Sequence, residues 1–164
     1  MRRAFVAGEI VLMSTLLQEF TNIVTALNER NIEYAVCGGW AMAILGFPRA
    51  TIDIDLLILS NDLDKVWQIA QSFGYDVEGL PLHFHDGAIE IRRISKIDKE
   101  TKSLITIDFL LVTEALKEVW QNRKIFEWNY GTVFSISKED LIFMKKISGR
   151  LQDLADIERL ENAN

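Results

Sequence analysis

The chain has 164 residues, 49% of them apolar, enough for one domain with a substantial core. A formal charge of -6 argues against the basic stripe of a duplex-DNA binder, and a single cysteine excludes a disulfide framework or a cysteine-rich zinc site. The lone cysteine suits a reducing cytoplasm, the expected location, and no membrane partner is expected because no run approaches the ~20 apolar residues of a bilayer span.

The opening MRRAFVAGEIVLMS sets two arginines before a short apolar stretch that Glu9 interrupts, with no small-residue cleavage site behind it. Residues 1–13 are read as an N-terminal extension, non-native or disordered, with Met13 a candidate start. Leu16, Leu17, Phe20, Ile23, Val24 and Leu27 recur at helical spacing and predict a helix over 14–30. A short buried strand over 34–37 follows, then Gly38-Gly39, a helix over 40–45, and a loop in which Pro48 forbids helix. Residues 51–59 form an Ile- and Leu-rich strand, and Ser60 to Asp62 cap a helix that Gly74 ends.

Asp86-Gly87 marks a hairpin with a two-residue turn, setting Phe84 opposite Ile89 and Leu82 opposite Ile91. His83, His85, Glu90 and Arg92 then share the other face. A strand over 104–112, a helix over 113–124 and a strand-turn-strand around Asn129 to Gly131 come next. Ser137 and Asp140 form a capping box for a helix from Lys138, Ser148-Gly149 interrupts it, and a last helix runs from about Leu151. The chain reads as one mixed α and β domain, residues 1–164, without repeats or linkers.

The chemistry concentrates in CGGWAMAILGFPRATIDIDLLIL, residues 37–59. Asp53 and Asp55, at i and i+2 of an otherwise apolar strand, point to one face about 6.5–7 Å apart. Two ionised carboxylates that close repel each other, and a cation between them removes the penalty. Mg²⁺, or Mn²⁺, takes oxygen ligands and keeps positions open for water and phosphate. Asp108 is a third carboxylate in an apolar strand, LITIDFLLV, and Gly38-Gly39 stands at a strand-to-helix junction where bare N–H groups can approach phosphate.

Together these features resemble the nucleotidyltransferase superfamily of DNA polymerase beta, with its glycine pair, spacer, Asp-x-Asp and later strand carboxylate. GGWA…RATIDIDLL is most similar to the small bacterial branch: minimal nucleotidyltransferases, lincosamide-type antibiotic nucleotidyltransferases and AbiEii-type toxins of toxin–antitoxin pairs. The tail DLIFMKKISGRLQDLADIERL is similar to the ending of such proteins, with Lys145, Arg150 and Asp153 at matching places. The resemblance implies an α+β fold with a mixed β-sheet flanked by helices. It implies transfer of a nucleoside monophosphate from a triphosphate, ATP by default, to an acceptor hydroxyl, with release of pyrophosphate. Asp53, Asp55 and Asp108 would be the catalytic and metal-binding residues, Asp108 either completing a two-metal site or acting as base. Gly38, Gly39, Arg49, Lys145 and Arg150 would bind the nucleotide, Arg49 as a bidentate phosphate clamp.

The acceptor is left open between a small molecule, a tRNA and a protein hydroxyl, since no appended acceptor-binding domain is evident. An alternative keeps the fold without turnover, as an antitoxin-like module that binds a partner protein; a homodimer is a further possibility. Each residue also has a plainer role to weigh. Lys145 can be solvated helix surface, Arg150 can pair with Asp153 at i+3, and Asp108 can lie at an exposed strand end. His83 and His85 suggest zinc, but no third ligand is evident. Arg92, Arg93, Lys96, Lys99 and Lys102 form a basic segment, either solvated or turned to a polyanionic acceptor.

Overall fold

The computed structural model describes residues 7–163. Helix α1 (Ala7–Glu29) leads into β1 (Ala35–Cys37), α2 (Gly38–Ile44) and β2 (Asp53–Ile58). Helix α3 (Leu63–Ser72) is followed by β3 (Val77–Glu78), β4 (Leu82–Phe84), β5 (Ile89–Ile97) and β6 (Leu104–Leu111). The chain ends in α4 (Lys117–Gln121), β7 (Lys124–Trp128), β8 (Gly131–Ser135), α5 (Lys138–Ser148) and α6 (Leu151–Glu161). The strands make one sheet in the order β3-β5-β6-β2-β1-β8-β7, with β4 alongside β5. β2 runs parallel to β6 and β1 parallel to β8, while the other pairings are antiparallel, so the sheet is mixed as expected.

Alternation along the central strands separates core from chemistry. Ile54 and Leu56 of β2 lie beside Ile107 and Phe109 of β6, all essentially without solvent exposure. Helix α3 packs on this face, with Trp67 against Phe109 at a ring separation of 6.3 Å. Helix α1 covers it too: Glu19 pairs with Lys96 at 2.7 Å and accepts from the Tyr75 hydroxyl at 2.9 Å. One residue out of phase, Asp53, Asp55 and Asp108 point to the opposite face, because a strand sends successive side chains to opposite sides.

The N-terminal expectation needs correction. Residues 7–13 belong to α1 rather than to an unstructured extension, while residues 1–6 lie outside the described part. Nor is the chain without a long apolar run: Ile10–Glu29 has the length and hydropathy of a membrane span. Here its stripe of Leu16, Phe20, Ile23, Val24 and Leu27 is buried in the sheet-and-helix core, the usual setting of an amphipathic helix.

The hairpin keeps the expected register, Leu82 opposite Ile91 and Phe84 opposite Ile89, but closes through four residues instead of two. His85 and Asp86 both take positive φ in that turn (51° and 54°), so His85 leaves the strand and the His-x-His face does not form. His83 faces Glu90, with 4.0 Å between Nδ1 and Oε1. The predicted helix over 113–124 is a 3₁₀ turn plus the five-residue α4, after which β7 begins at Lys124. Ser137 caps α5 as expected, its hydroxyl accepting from the Asp140 amide at 3.1 Å. The Asp140 carboxylate accepts from that hydroxyl at 2.8 Å and not from the Ser137 amide, so the reciprocal half of the box is not formed. Gly149, left-handed at φ 65°, ends α5 as Ser148-Gly149 indicated.

Ile54 sits between the two aspartates yet faces the core. Ile54→Ala is therefore expected to lower the unfolding free energy by about 2–5 kcal/mol, measured by urea denaturation, through loss of buried apolar contact.

Candidate active site

The register of the central strands brings the three aspartates together. Asp55 of β2 is the direct partner of Asp108 on β6, and Asp53 lies opposite Thr106. Cys37, at the end of β1, pairs with Asp55 on its other side. Neighbouring strands lie about 4.8 Å apart, so Asp55 and Asp108 are neighbours on one face, and Asp53 is one pleat along. Asp108 is almost fully buried, at 4% exposure, rather than at an exposed strand end.

The glycine pair fits this row by having no side chains. Gly38 opens α2 at φ 61°, and a β-carbon there would collide with the Asp55 carboxylate, whose Cγ would lie 2.8 Å away. A β-carbon on Gly39 would meet the Thr51 side chain at 2.7 Å. The two glycines thus let the start of α2 sit directly against β2 and the loop before it.

Burial and charge crowding on this face raise the two carboxyls of β2. Burial, then the charges of Asp108 and Asp53, push the Asp55 carboxyl up to about 7, and Arg150 and Lys145 offset this only partly. Asp53 is raised by burial and by Asp108. Two carboxylate arms on one strand face fit a hard divalent ion of the Mg²⁺ type.

Asp108 is different. Arg93, its partner across the β5–β6 ladder, donates from Nε to one carboxylate oxygen and from a terminal nitrogen to the other, both at 2.7 Å. Asp108, expected as a third metal ligand, is thus in a two-point ion pair, and among the described residues no cluster of three acidic, histidine or cysteine side chains is poised for a metal. Arg93 was legible only as part of a basic segment. Its approach to Asp108 depends on strand register, and no local spacing announces that.

The basic residues expected at the nucleotide gather around two buried acids. Arg49 Nε donates to both oxygens of Asp156, at 2.9 and 3.0 Å, so the expected phosphate clamp holds a carboxylate in this structure. Lys145, far from being solvated surface, is 4% exposed and reaches Asp156 at 2.7 Å and Asp153 at 3.5 Å. Arg150 makes the i+3 pair with Asp153 at 2.8 Å. Burial raises the carboxyl of Asp156, but the hydrogen bonds and charges of Lys145 and Arg49 outweigh it and hold the group below its ordinary value. Asp156 is the member that sequence reasoning missed. Its one local sign is helical phase with Asp153 and Gln152, the latter donating to it at 3.1 Å. This cluster ties α5 and α6 to the loop before β2, on the side from which Lys145 and Arg150 act on Asp55.

A family model described as aminoglycoside-2''-adenylyltransferase matches residues 19–106, more than half of the chain. No curated protein matches by sequence. Among solved structures, ANT(2'')-Ia in complex with adenylyl-2''-tobramycin aligns with a TM-score of 0.61 at 20% identity, over 89% of this chain and 87% of that one. The lincosamide adenylyltransferase LnuA, with lincomycin bound, gives 0.55 at 16% identity, over 99% of this chain and 100% of that one. TM1012 of Thermotoga maritima, described as a candidate nucleotidyltransferase, gives 0.57 at 14% identity, over 98% and 97%. At these identities the likeness is one of fold.

Two outcomes are expected. Asp156→Ala removes the shared partner of Arg49 and the nearer partner of the buried Lys145, leaving the latter only Asp153 at 3.5 Å, and should cost about 3–5 kcal/mol in chemical denaturation. In metal-free protein, Asp55 with its raised carboxyl contributes stability that is full below about pH 4, its unfolded range, and is lost as pH rises through about 7. Asp156, held low, stays ionised across that window. Wild type should therefore lose stability between pH 5 and 8 more steeply than Asp55→Asn, and added divalent cation should reverse the wild-type loss at pH 8.

Proposed function

This chain belongs to the aminoglycoside-2''-adenylyltransferase family and is a nucleotidyltransferase, and on that premise we propose that it transfers the nucleoside monophosphate of ATP to a hydroxyl of a small-molecule antibiotic, with a divalent cation of the Mg²⁺ class bound at Asp53 and Asp55. The observation that carries this reading is the row of carboxylates on one sheet face, Asp55 beside Asp108 with Asp53 one pleat along, directly over the glycine turn. The raised carboxyls of Asp53 and Asp55 suit a metal-bound triphosphate, whose divalent ion supplies positive charge to this face.

Asp53 and Asp55 would hold the cation, which when bound neutralises the triphosphate and sharpens the electrophilic character of its α-phosphorus. Gly38 and Gly39 keep side chains away from the floor of the site, so the nucleotide can lie close to the start of α2. Asp108 retains a lone pair on each oxygen beyond those that Arg93 engages, and accepts the proton of the acceptor hydroxyl. The new bond joins the acceptor oxygen to the α-phosphorus, and the bond from that phosphorus to the pyrophosphate bridging oxygen breaks. Pyrophosphate leaves with the electron pair, and the proton rests on an Asp108 oxygen before passing to solvent. Arg150, exposed at the mouth of the C-terminal cluster, supplies positive charge toward the triphosphate. Arg49 and Lys145, held by Asp156, support the loop before β2 from behind.

The acceptor class is inferred from relatives. Tobramycin carries the adenylyl group in the ANT(2'')-Ia complex, and lincomycin occupies LnuA. A test panel accordingly spans aminoglycosides and lincosamides, incubated with each of the four nucleoside triphosphates and Mg²⁺. The expected result is pyrophosphate release with a mass gain of one nucleoside monophosphate on at least one antibiotic, lowered at least a hundredfold in Asp53→Asn and Asp55→Asn. Turnover that survives both substitutions would remove these residues from the chemistry.

A further inference from the structure

We propose that Arg93 is a built-in counter-ion that reserves Asp108 for the acceptor hydroxyl, so that the site holds one divalent ion, on Asp53 and Asp55, and not two. The proposal builds on the metal-dependent transfer proposed above and concerns how many ions take part.

The geometry is specific. Arg93 and Asp108 are facing residues of the β5–β6 ladder, whose pairing runs from Ile91–Leu110 to Ile97–Leu104, so their backbones are fixed relative to each other. The guanidinium engages both Asp108 oxygens at 2.7 Å, in the fork geometry that suits arginine and not lysine. The stem is held as well as the tip. Gly79 donates its amide to the Arg93 carbonyl at 2.9 Å, and a β-carbon on Gly79 would lie 3.1 Å from the Arg93 Cβ and 3.3 Å from its Cγ. A glycine here lets the sheet edge close over the aliphatic part of Arg93, which directs the arm across the sheet face toward Asp108.

Two consequences follow for a second cation. A cation bridging Asp55 and Asp108 would have to sit beside a guanidinium already bound to one of its ligands, where like charges repel at short range. Displacing Arg93 instead would break a pair in which Asp108 is almost fully buried. Arg93 therefore takes the electrostatic place that a second metal would fill beside the third carboxylate, while leaving the outer lone pairs of Asp108 for a hydroxyl. Arg93 is a positioning residue: it acts on the reacting atoms only through Asp108.

Binding of Mn²⁺ alone, counted from the loss of the free-ion electron paramagnetic resonance signal, tests this without any turnover. The full-length wild type should bind one ion per chain, and Asp53→Asn/Asp55→Asn none. Arg93→Met should bind two, because Asp108 is released opposite Asp55, and Arg93→Met/Asp108→Asn should return to one. Arg93→Lys keeps a charge beside Asp108 and should stay at one. Two ions in the wild type would overturn the proposal whatever the variants do. So would a single ion in Arg93→Met that melts cooperatively. No bound ion in the wild type, or one that persists without Asp53 and Asp55, would overturn the metal assignment itself and this inference with it.

Discussion

The structure turns on a conflict between like charges. Asp55 and Asp108 are adjacent across a parallel strand pair, Asp53 is close by, and burial makes ionisation of Asp53 and Asp55 costly. A folded chain can tolerate such a group by protonating it, by pairing it within the protein, or by leaving it to a ligand. Asp55 takes the first course, its carboxyl raised to about 7, and Asp108 the second, paired with Arg93; the Asp53–Asp55 pair is where the proposed cation would bind.

The surrounding elements are arranged to hold that conflict in place. The apolar face of β2 and β6 anchors the strands through Ile54, Leu56, Ile107 and Phe109, so the carboxylates cannot relax apart without disturbing the core. The glycines at the start of α2 allow a helix to close directly over Asp55. On the far side, a second charge cluster faces inward: Asp156 and Asp153 draw Arg49, Lys145 and Arg150 together and lock the two C-terminal helices onto the loop before β2. Buried ion clusters of this sort are poor sources of net stability, since desolvation offsets most of the attraction. Their value is geometric. They fix where the positive charge stands relative to the site.

How much of this could be read from residues alone differs by the range of the interaction. Asp53 and Asp55 were legible because the i, i+2 rule is local, and the same holds for the Ser137 cap and the Gly149 stop. The hairpin register at Leu82–Ile91 followed from centring the turn on Asp86-Gly87, but the turn itself differs: positive φ at His85 and Asp86 accompanies a four-residue closure that composition does not announce. Partners distant in sequence were beyond reach. Arg49 and Asp156 are 107 positions apart, and Arg93 and Asp108 face each other only through strand register. Helix α1 began seven residues earlier than its apolar period suggested, since the exposed first turns carry no inward stripe to mark them.

Nucleotide binding through a divalent ion on Asp53 and Asp55 is the step on which the proposed transfer depends. Calorimetric titration of ATP into wild type and into Asp55→Asn, each with and without Mg²⁺, addresses it most directly. Asparagine keeps the shape and removes a charge the fold already disfavours, so the variant should remain folded. Saturable binding to the wild type is expected only when Mg²⁺ is present, with its loss in Asp55→Asn. Binding of equal strength without the metal, or unchanged in the variant, would contradict it.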